Sequence, residues 1–140
     1  MKHALPGLLG LFGLSALSLA PLAQAVDLGR LDYQLQPRAL AADSWVIEGA
    51  VEDFSRANGC NIINTGFIAT PEGSWVINTG ASLKYGQQQR AAIARTTPHP
   101  VRAVISLNLH PDYFMGHGAW TDTPTPVSYT HLTLPTTSRV

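Results

Sequence analysis

The sequence has little charge and no repeats, and both absences narrow the class of protein. Charged residues make up 13% of its 140 residues, and nine Lys and Arg balance nine Asp and Glu. Without a basic stripe, the chain lacks the electrostatic footprint that nucleic acid or an anionic membrane surface requires. The sequence also has no repeat of fixed period, which would be the sign of a solenoid. With 45% hydrophobic residues, the composition is typical of one globular domain.

Cysteine is nearly absent, which excludes a fold held together by internal disulfides. Cys60 is the one cysteine of the chain, so no second thiol is available to pair with it. Its surroundings, "NGCNII", predict a small buried apolar side chain rather than a nucleophile.

The N-terminus contains a long apolar stretch without charge. Lys2 precedes this stretch, which covers about residues 4–22, and Ala23-Gln24-Ala25 provides small residues for cleavage. This order predicts a secretory signal peptide over residues 1–25, and therefore a periplasmic protein with no membrane contact after cleavage. The alternative is an uncleaved transmembrane anchor, since the stretch is nearly long enough to span a bilayer.

The C-terminal residues 127–140 differ in composition from everything before them. They are rich in Ser and Thr and have no apolar periodicity. Their first part, "VSYTHLTLPT", resembles the translated transposon-end adaptor used in preparing sequencing libraries. We therefore expect a non-native tail here, with the native reading frame interrupted near Pro126 and the native part of the domain at residues 26–126. On this basis His131 is not a candidate ligand.

The native part predicts short strands around one helix. Pro71-Glu72-Gly73 is a turn that joins two of the strands in a hairpin. The helix is predicted at residues 82–94, where Ser82 can serve as N-cap, although Gly86 costs helicity. Strands are predicted where β-branched and aromatic residues cluster, at residues 33–35, 44–48, 61–70, 74–78 and 101–107.

A polar stretch follows the last predicted strand and is where chemistry is expected. It reads "NLHPDYFMGHGAW" and places Asn108, His110 and Asp112 at alternate positions. In an extended segment, alternate side chains point the same way, so these three can converge on one side. Imidazole nitrogen and carboxylate oxygen both bind zinc, and a carboxylate can also accept a proton. The pattern predicts an α/β sheet whose ligand site lies at the carboxyl end of a strand.

The order of these motifs resembles that of the metallo-β-lactamase superfamily. The strand that ends at residues 76–80, "VINTG", matches that family's V-I-D-T-G segment, and N-x-H-x-D matches its His-x-His-x-Asp-His loop. The resemblance implies an α/β fold that is the first half of a truncated αββα sandwich. It also implies zinc, with His110 and Asp112 as metal-binding and catalytic residues. A half sandwich would leave apolar side chains without partners, among them Trp75, Ile77, Val104 and Ile105.

The sequence departs from the family pattern at three positions. Asn108 and Tyr113 stand where the family has the first and last histidines of the loop, and Asn78 replaces the aspartate of V-I-D-T-G. An amide is a poor zinc ligand, so Asn108 is the weakest candidate. One or two zinc ions are implied, with the remaining ligands in the missing part of the domain.

A mono-zinc branch of the family has N-x-H-x-D and a tryptophan eight residues past the aspartate, which Trp120 reproduces. In such a site, Asp112 binds the ion together with ligands from the missing half, and His110 is free to act as a general base. His117 is either an additional ligand or an exposed loop histidine, and the second alternative is favoured. His99, between two prolines, is expected in solvent.

The runs "FSRANGCNIINTGFIATPEGSWVINTG" and "RAVISLNLHPDYFMGHGAW" resemble the quinoprotein relay system zinc metallohydrolases. These are periplasmic proteins associated with quinoprotein dehydrogenases and c-type cytochromes. The resemblance implies hydrolysis of a small-molecule ester, lactone or amide by the full-length protein, with little activity in the fragment alone. The alternative is a non-catalytic accessory protein of the quinoprotein system, and the fold alone does not choose between the two.

Overall fold

The computed structural model describes residues 27–123 and 125–128. The signal peptide predicted over residues 1–25 lies outside the described residues, as does the tail from residue 129 onward. The first two residues of that tail belong to a strand, Thr125–Ser128. Within the described part, no helix is both long enough and apolar enough to cross a membrane.

A six-stranded sheet and one long helix make up the described residues. The strands follow one another across the sheet in chain order; neighbours from β1 to β4 are antiparallel, whereas β4, β5 and β6 are parallel. The strands are β1 (Arg38–Ala41), β2 (Ser44–Ile47), β3 (Thr65–Thr70), β4 (Gly73–Ile77), β5 (Val101–Ser106) and β6 (Thr125–Ser128). The helices are α1 (Leu83–Thr96) and α2 (Pro111–Phe114), with 3₁₀ helices at Leu28–Arg30 and Met115–Trp120.

The hairpin of β3 and β4 and the helix α1 confirm the predicted elements. Gly73 closes the hairpin turn with a φ of 138°, a conformation that favours glycine. The strand predicted at residues 33–35 is wrong, because Gln34 has a φ of 51° and interrupts an extended chain. The first strand is instead β1, which lies in the segment expected to separate two strands.

One face of the sheet packs against α1 and the 3₁₀ helix Met115–Trp120. Burial of a large apolar side chain contributes roughly 1.5–3 kcal/mol, so a shared apolar layer holds these helices on the sheet. The buried members of that layer are Phe67, Val76, Ile93, Val104 and Trp120.

In the part of the chain that the structure describes, the opposite face of the sheet is partly exposed. Ile68 and Trp75 pair in the β3–β4 register, and each is 42% exposed, which confirms the prediction for Trp75. Ile77 and Ile105 are half-buried. The prediction that Val104 lacks partners is wrong, because alternate residues of a strand face opposite sides and Val104 lies in the layer under α1.

The helix α1 begins as predicted, with Ser82 as its N-cap. The Oγ of Ser82 accepts a hydrogen bond from the backbone N of Tyr85 at 3.0 Å. Gly86 was expected to weaken the helix, and the structure shows why a glycine nevertheless stands at this position. A Cβ at Gly86 would overlap the carbonyl oxygen of Gly116 and lie 2.9 Å from the Cβ of Ala119. Glycine therefore lets the 3₁₀ helix pack directly on α1.

Tyr85 is buried under the sheet and gives the fold an alkaline pH dependence. Its hydroxyl lies 2.8 Å from the Oγ1 of Thr65, and burial raises the pKa of Tyr85 to about 12. An unfolded tyrosine has a pKa of about 10, so the folded protein holds this proton more tightly. Stability is therefore lost as pH rises from about 10 toward about 12. We expect Tyr85→Phe to remove this part of the loss, measured by urea unfolding across that range.

The same substitution has a cost at neutral pH. It leaves the buried hydroxyl of Thr65 without this partner, which is expected to cost about 1–3 kcal/mol. Tyr113→Phe is the matched control, since Tyr113 is only half-buried and is not among the groups that shift the pKa of Tyr85, and this variant should keep the alkaline loss. If the Tyr85→Phe curve ran parallel to the unsubstituted one above pH 10, the assignment would be wrong.

Candidate functional site

Three segments meet at the carboxyl ends of β4 and β5. Since these strands are parallel, with Ile77 opposite Ile105, the loops that follow them leave the sheet at the same edge. The strand β3 is antiparallel to β4, with Gly66 opposite Ile77, so the segment that precedes β3 reaches this edge too. The site predicted at the carboxyl end of a strand is therefore placed where loops from three strands come together.

The segment after β5 is bonded to the end of β4. The backbone N of Thr79 donates to the carbonyl of Tyr113 at 2.8 Å, and the backbone N of Gly116 donates to the carbonyl of Gly80 at 3.0 Å. A Cβ at Gly116 would overlap the carbonyl oxygen of Thr79, so a glycine is needed for this close approach of two backbones. These contacts fix α2 and the 3₁₀ helix that follows it.

His110 and Asp112 line a common pocket at this edge. Asp112 is 5% exposed, and its Oδ1 has no hydrogen-bond partner among the described residues. His110 is exposed and forms the N-cap of α2. A buried carboxylate oxygen is costly unless a ligand, a cation or water satisfies it. The pocket has a volume of about 360 Å³, and its other lining residues are Phe54, Cys60, Ala81, Pro111 and Met115.

The donor chemistry of these two side chains fits a zinc ion. Imidazole nitrogen and carboxylate oxygen are both zinc ligands, and protein zinc sites usually have three or four such donors. The Oδ1 of Asp112 is buried without a hydrogen-bond partner in the described part of the chain, and a bound cation would compensate the negative charge that is costly to bury alone. Among residues 27–123 and 125–128, no three His, Cys, Asp or Glu side chains come together as a metal-binding group. A complete site therefore needs further donors.

The structure corrects the expected geometry of the polar stretch. The prediction that residues 108, 110 and 112 alternate along an extended segment is wrong, because β5 ends at Ser106 and Pro111 begins α2. Asn108 instead closes a local turn, in which its Oδ1 accepts from the backbone N of His110 at 2.9 Å. Asn108 is not among the residues that line the pocket. The start of a helix, and not a strand, brings His110 and Asp112 to the pocket.

His117 is half-buried, so the prediction of an exposed loop histidine is wrong. Its Nδ1 lies 3.1 Å from the carbonyl oxygen of Phe114 and 3.3 Å from the Oγ1 of Thr79. Its Nε2 is buried and has no partner in the part of the chain that the structure describes. His117 does not line the pocket of the two candidate ligands. His99 is exposed, as predicted.

Trp120, which matched the mono-zinc branch, lies in the core and not in the pocket. The guanidinium carbon of Arg90 lies 5.0 Å from the centre of its ring. Arg90 also donates to the carbonyl of Ala119 at 2.6 Å and forms an ion pair with Asp122. Hydrogen bonds from Arg90 hold the pKa of the Asp122 carboxyl below its usual value. Trp120 and Arg90 thus hold the far end of the 3₁₀ helix on α1.

Phe54, Cys60 and Met115 line the pocket without having been predicted there. Cys60 is half-buried, with a φ of 61°, so the small buried side chain predicted here is buried only in part. Asn58 and Gly59 give a signal for a turn in this segment. No local pattern indicates that the turn faces a segment some fifty residues later in the chain.

A second and wider cleft borders the same segment. Its volume is about 610 Å³, and its walls include Asn78, Leu107 and Tyr113. The rings of His110 and Tyr113 are in edge contact, with centroids 6.3 Å apart. Tyr113, where the family pattern has a histidine, therefore lies between the ring of His110 and this second cleft.

Solved metallo-β-lactamases have a similar fold over part of their length. The structure is similar to a metallo-β-lactamase from Hirschia baltica, with a TM-score of 0.54 and 20% identity over 67% of this chain and 42% of that one. It is also similar to FIM-1 from Pseudomonas aeruginosa in the mono-zinc form (TM-score 0.54, 13% identity, 67% and 41% of the chains). A third similar structure is a metallo-β-lactamase from Pontibacter korlensis, with a TM-score of 0.53 and 17% identity over 68% of this chain and 43% of that one. No family model and no curated protein matches the sequence.

The described residues therefore have the metallo-β-lactamase fold, and the predicted α/β class is confirmed. The chain spans less than half the length of these solved structures, as expected for part of an αββα sandwich. At these identities the likeness shows the fold, and the activity has to be argued from the site.

Proposed function

We propose that the full-length protein is a zinc-dependent hydrolase of small molecules, with His110 and Asp112 among the groups that bind the ion. The observation that carries this proposal is the buried, unpartnered oxygen of Asp112, which lies beside His110 in a pocket at the sheet edge. The fold, shared with metallo-β-lactamases that include a mono-zinc form, supports zinc as the metal. One or two ions are proposed, with the remaining ligands in the part of the fold that this chain does not span.

The chain's own residues have distinct parts in the proposed reaction. When bound, zinc lowers the pKa of a water molecule and polarises a carbonyl group. Asp112, fixed in the first turn of α2, presents its carboxylate to the pocket. His110, exposed at the N-cap, binds the ion or accepts the proton of the attacking water. Phe54 and Met115 give the pocket apolar wall surface against which the rest of a substrate can lie.

We propose an ester, a lactone or an amide as the substrate. These groups share a carbonyl carbon that water can attack, and their hydrolysis needs no redox cofactor. A pocket of about 360 Å³ lies within the size range that accommodates a small molecule.

The proposed location is the periplasm, and the proposed partner is a quinoprotein dehydrogenase or c-type cytochrome system. Lys2, the apolar stretch after it and the Ala-x-Ala sequence support secretion. The sequence resemblance over most of the mature fragment supports the association with quinoproteins. The balanced charge gives no reason to include nucleic acid among the partners.

A non-catalytic accessory role in the same system is the second candidate. It is favoured by Asn108 and Tyr113, which replace two histidines of the family loop.

The metal content and esterase activity of the full-length protein separate the two candidates. We expect about one or two zinc ions per molecule and hydrolysis of a chromogenic ester or lactone that a chelator abolishes. The 140-residue chain should show little turnover in the same assay. Metal-free, inert protein that binds the dehydrogenase would support the accessory role. Protein that binds neither zinc nor the dehydrogenase would contradict both.

A further inference from the structure

Asn78 is a buried polar residue at the junction of the three segments that form the site. It is 3% exposed, and its φ of 59° is a left-handed conformation that asparagine adopts more readily than most residues. Its backbone N donates to the carbonyl of Ile105 at 2.8 Å, and its carbonyl accepts from the Nε2 of Gln89 at 2.9 Å. Both of its main-chain polar groups are therefore paired.

The side-chain amide of Asn78 joins two further segments. Its Oδ1 accepts from the backbone N of Leu107, the first residue after β5, at 3.0 Å. Its Nδ2 donates to the carbonyl of Asn64, the last residue before β3, at 3.4 Å. The side chain of Asn64 accepts in turn from the backbone N of Gly49 at 3.0 Å. One buried amide thus links the end of β4 to the exit of β5 and the entry of β3.

We propose that Asn78 is a positioning residue, which sets the direction of the chain as it leaves β5 and so places His110 and Asp112 at the pocket. The bond to Leu107 is made three residues before His110, where the strand gives way to the Asn108 turn. A test of this role by zinc affinity rests on the proposed function, whereas a test by hydrogen exchange of the Leu107 amide does not.

An amide suits position 78 in this chain because its side chain meets both a donor and an acceptor. Leu107 offers an N–H, and Asn64 offers a carbonyl oxygen. A carboxylate could accept from Leu107, but it would place a second oxygen, and a buried charge, against the carbonyl of Asn64. Glycine would keep the left-handed backbone and lose both bonds. Asn78→Asp and Asn78→Gly therefore separate the side-chain bonds from the backbone conformation.

Hydrogen exchange of the Leu107 amide, followed by NMR in the full chain, tests the bond directly. In Asn78→Gly we expect this exchange to accelerate on the order of 10-fold, since a bond of roughly 1 kcal/mol or more is lost. Asn78→Asp should keep the protection of Leu107 and lose the bond to Asn64. Gln87→Glu, an exposed position on α1, adds the same charge as Asn78→Asp and should change nothing.

Zinc affinity, corrected for the folded fraction from circular dichroism, tests the positioning role. Asn78→Gly should bind zinc roughly 10-fold or more weakly, as is typical when a residue that orients ligands is removed, whereas Asn78→Asp, which keeps the bond to Leu107, should bind it about as tightly as the unsubstituted protein. Unchanged protection of Leu107 in Asn78→Gly overturns the proposal, and so does unchanged affinity of its folded fraction. Should Asn78→Gly not fold, Asn78→Asp decides: zinc affinity that follows the protection of the Leu107 amide supports the proposal, and affinity that changes without it overturns the proposal. If the unsubstituted protein binds no zinc, the proposed function fails, and the exchange of the Leu107 amide in Asn78→Gly decides this inference.

Discussion

Asp112→Asn is expected to lower the zinc affinity of the full-length protein on the order of 100-fold or more, and to abolish hydrolysis with it. The substitution keeps the shape of the side chain and removes its charge. Asp112 is almost fully buried, and its Oδ1 has no other partner among the described residues, so no compensating contact is available. Competition with a chromogenic chelator measures the affinity.

This variant should lose zinc without losing stability. A buried carboxylate with an unpartnered oxygen costs free energy in the metal-free protein, so Asp112→Asn should unfold at an unchanged or higher urea concentration. His99→Gln is the matched control, because it alters an exposed histidine away from the pocket. Equal losses of zinc in the two variants would refute the assignment of Asp112.

Gly116→Ala is expected to have the largest effect on stability, about 3 kcal/mol. The new Cβ would overlap the carbonyl oxygen of Thr79, and neither backbone can move without breaking the bond between Gly116 and Gly80. The 3₁₀ helix would then separate from the end of β4. Urea unfolding at neutral pH measures the change in the free energy of unfolding.

Gly118→Ala provides the control within the same 3₁₀ helix. A Cβ at Gly118 would lie 3.2 Å from the Cδ1 of Leu83, a side-chain atom on an exposed residue that can move aside. We expect a cost below about 1 kcal/mol. Similar costs for the two alanine variants would show that the close backbone approach at Gly116 does not matter.

The parts of the fold that local signals specify could be predicted from the sequence. The turn at Pro71 and the glycine after it defined the β3–β4 hairpin, and Ser82 defined the start of α1. The first strand was misplaced, because its position depends on pairing with β2, which no local signal in the sequence indicates. Val104 was assigned to the wrong face, since strand periodicity alone does not say which face the helix covers.

The sequence identified residues of the candidate site better than it predicted their geometry. His110 and Asp112 were named from donor chemistry, and both line the pocket. Pro111 after a potential N-cap is a signal for a helix start, which the expectation of an extended segment overlooked. The burial of His117 depends on Thr79, a residue far away in the sequence, and no local pattern indicates it.

Crystals of the full-length protein grown with zinc, with anomalous diffraction recorded at the zinc absorption edge, test the central claim most directly. The account predicts an anomalous peak at bonding distance, roughly 2.0–2.2 Å, from a carboxylate oxygen of Asp112, with a ring nitrogen of His110 bound to the same ion or facing the water beside it. A peak bound by neither residue, or a pocket without a peak at saturating zinc, would contradict it.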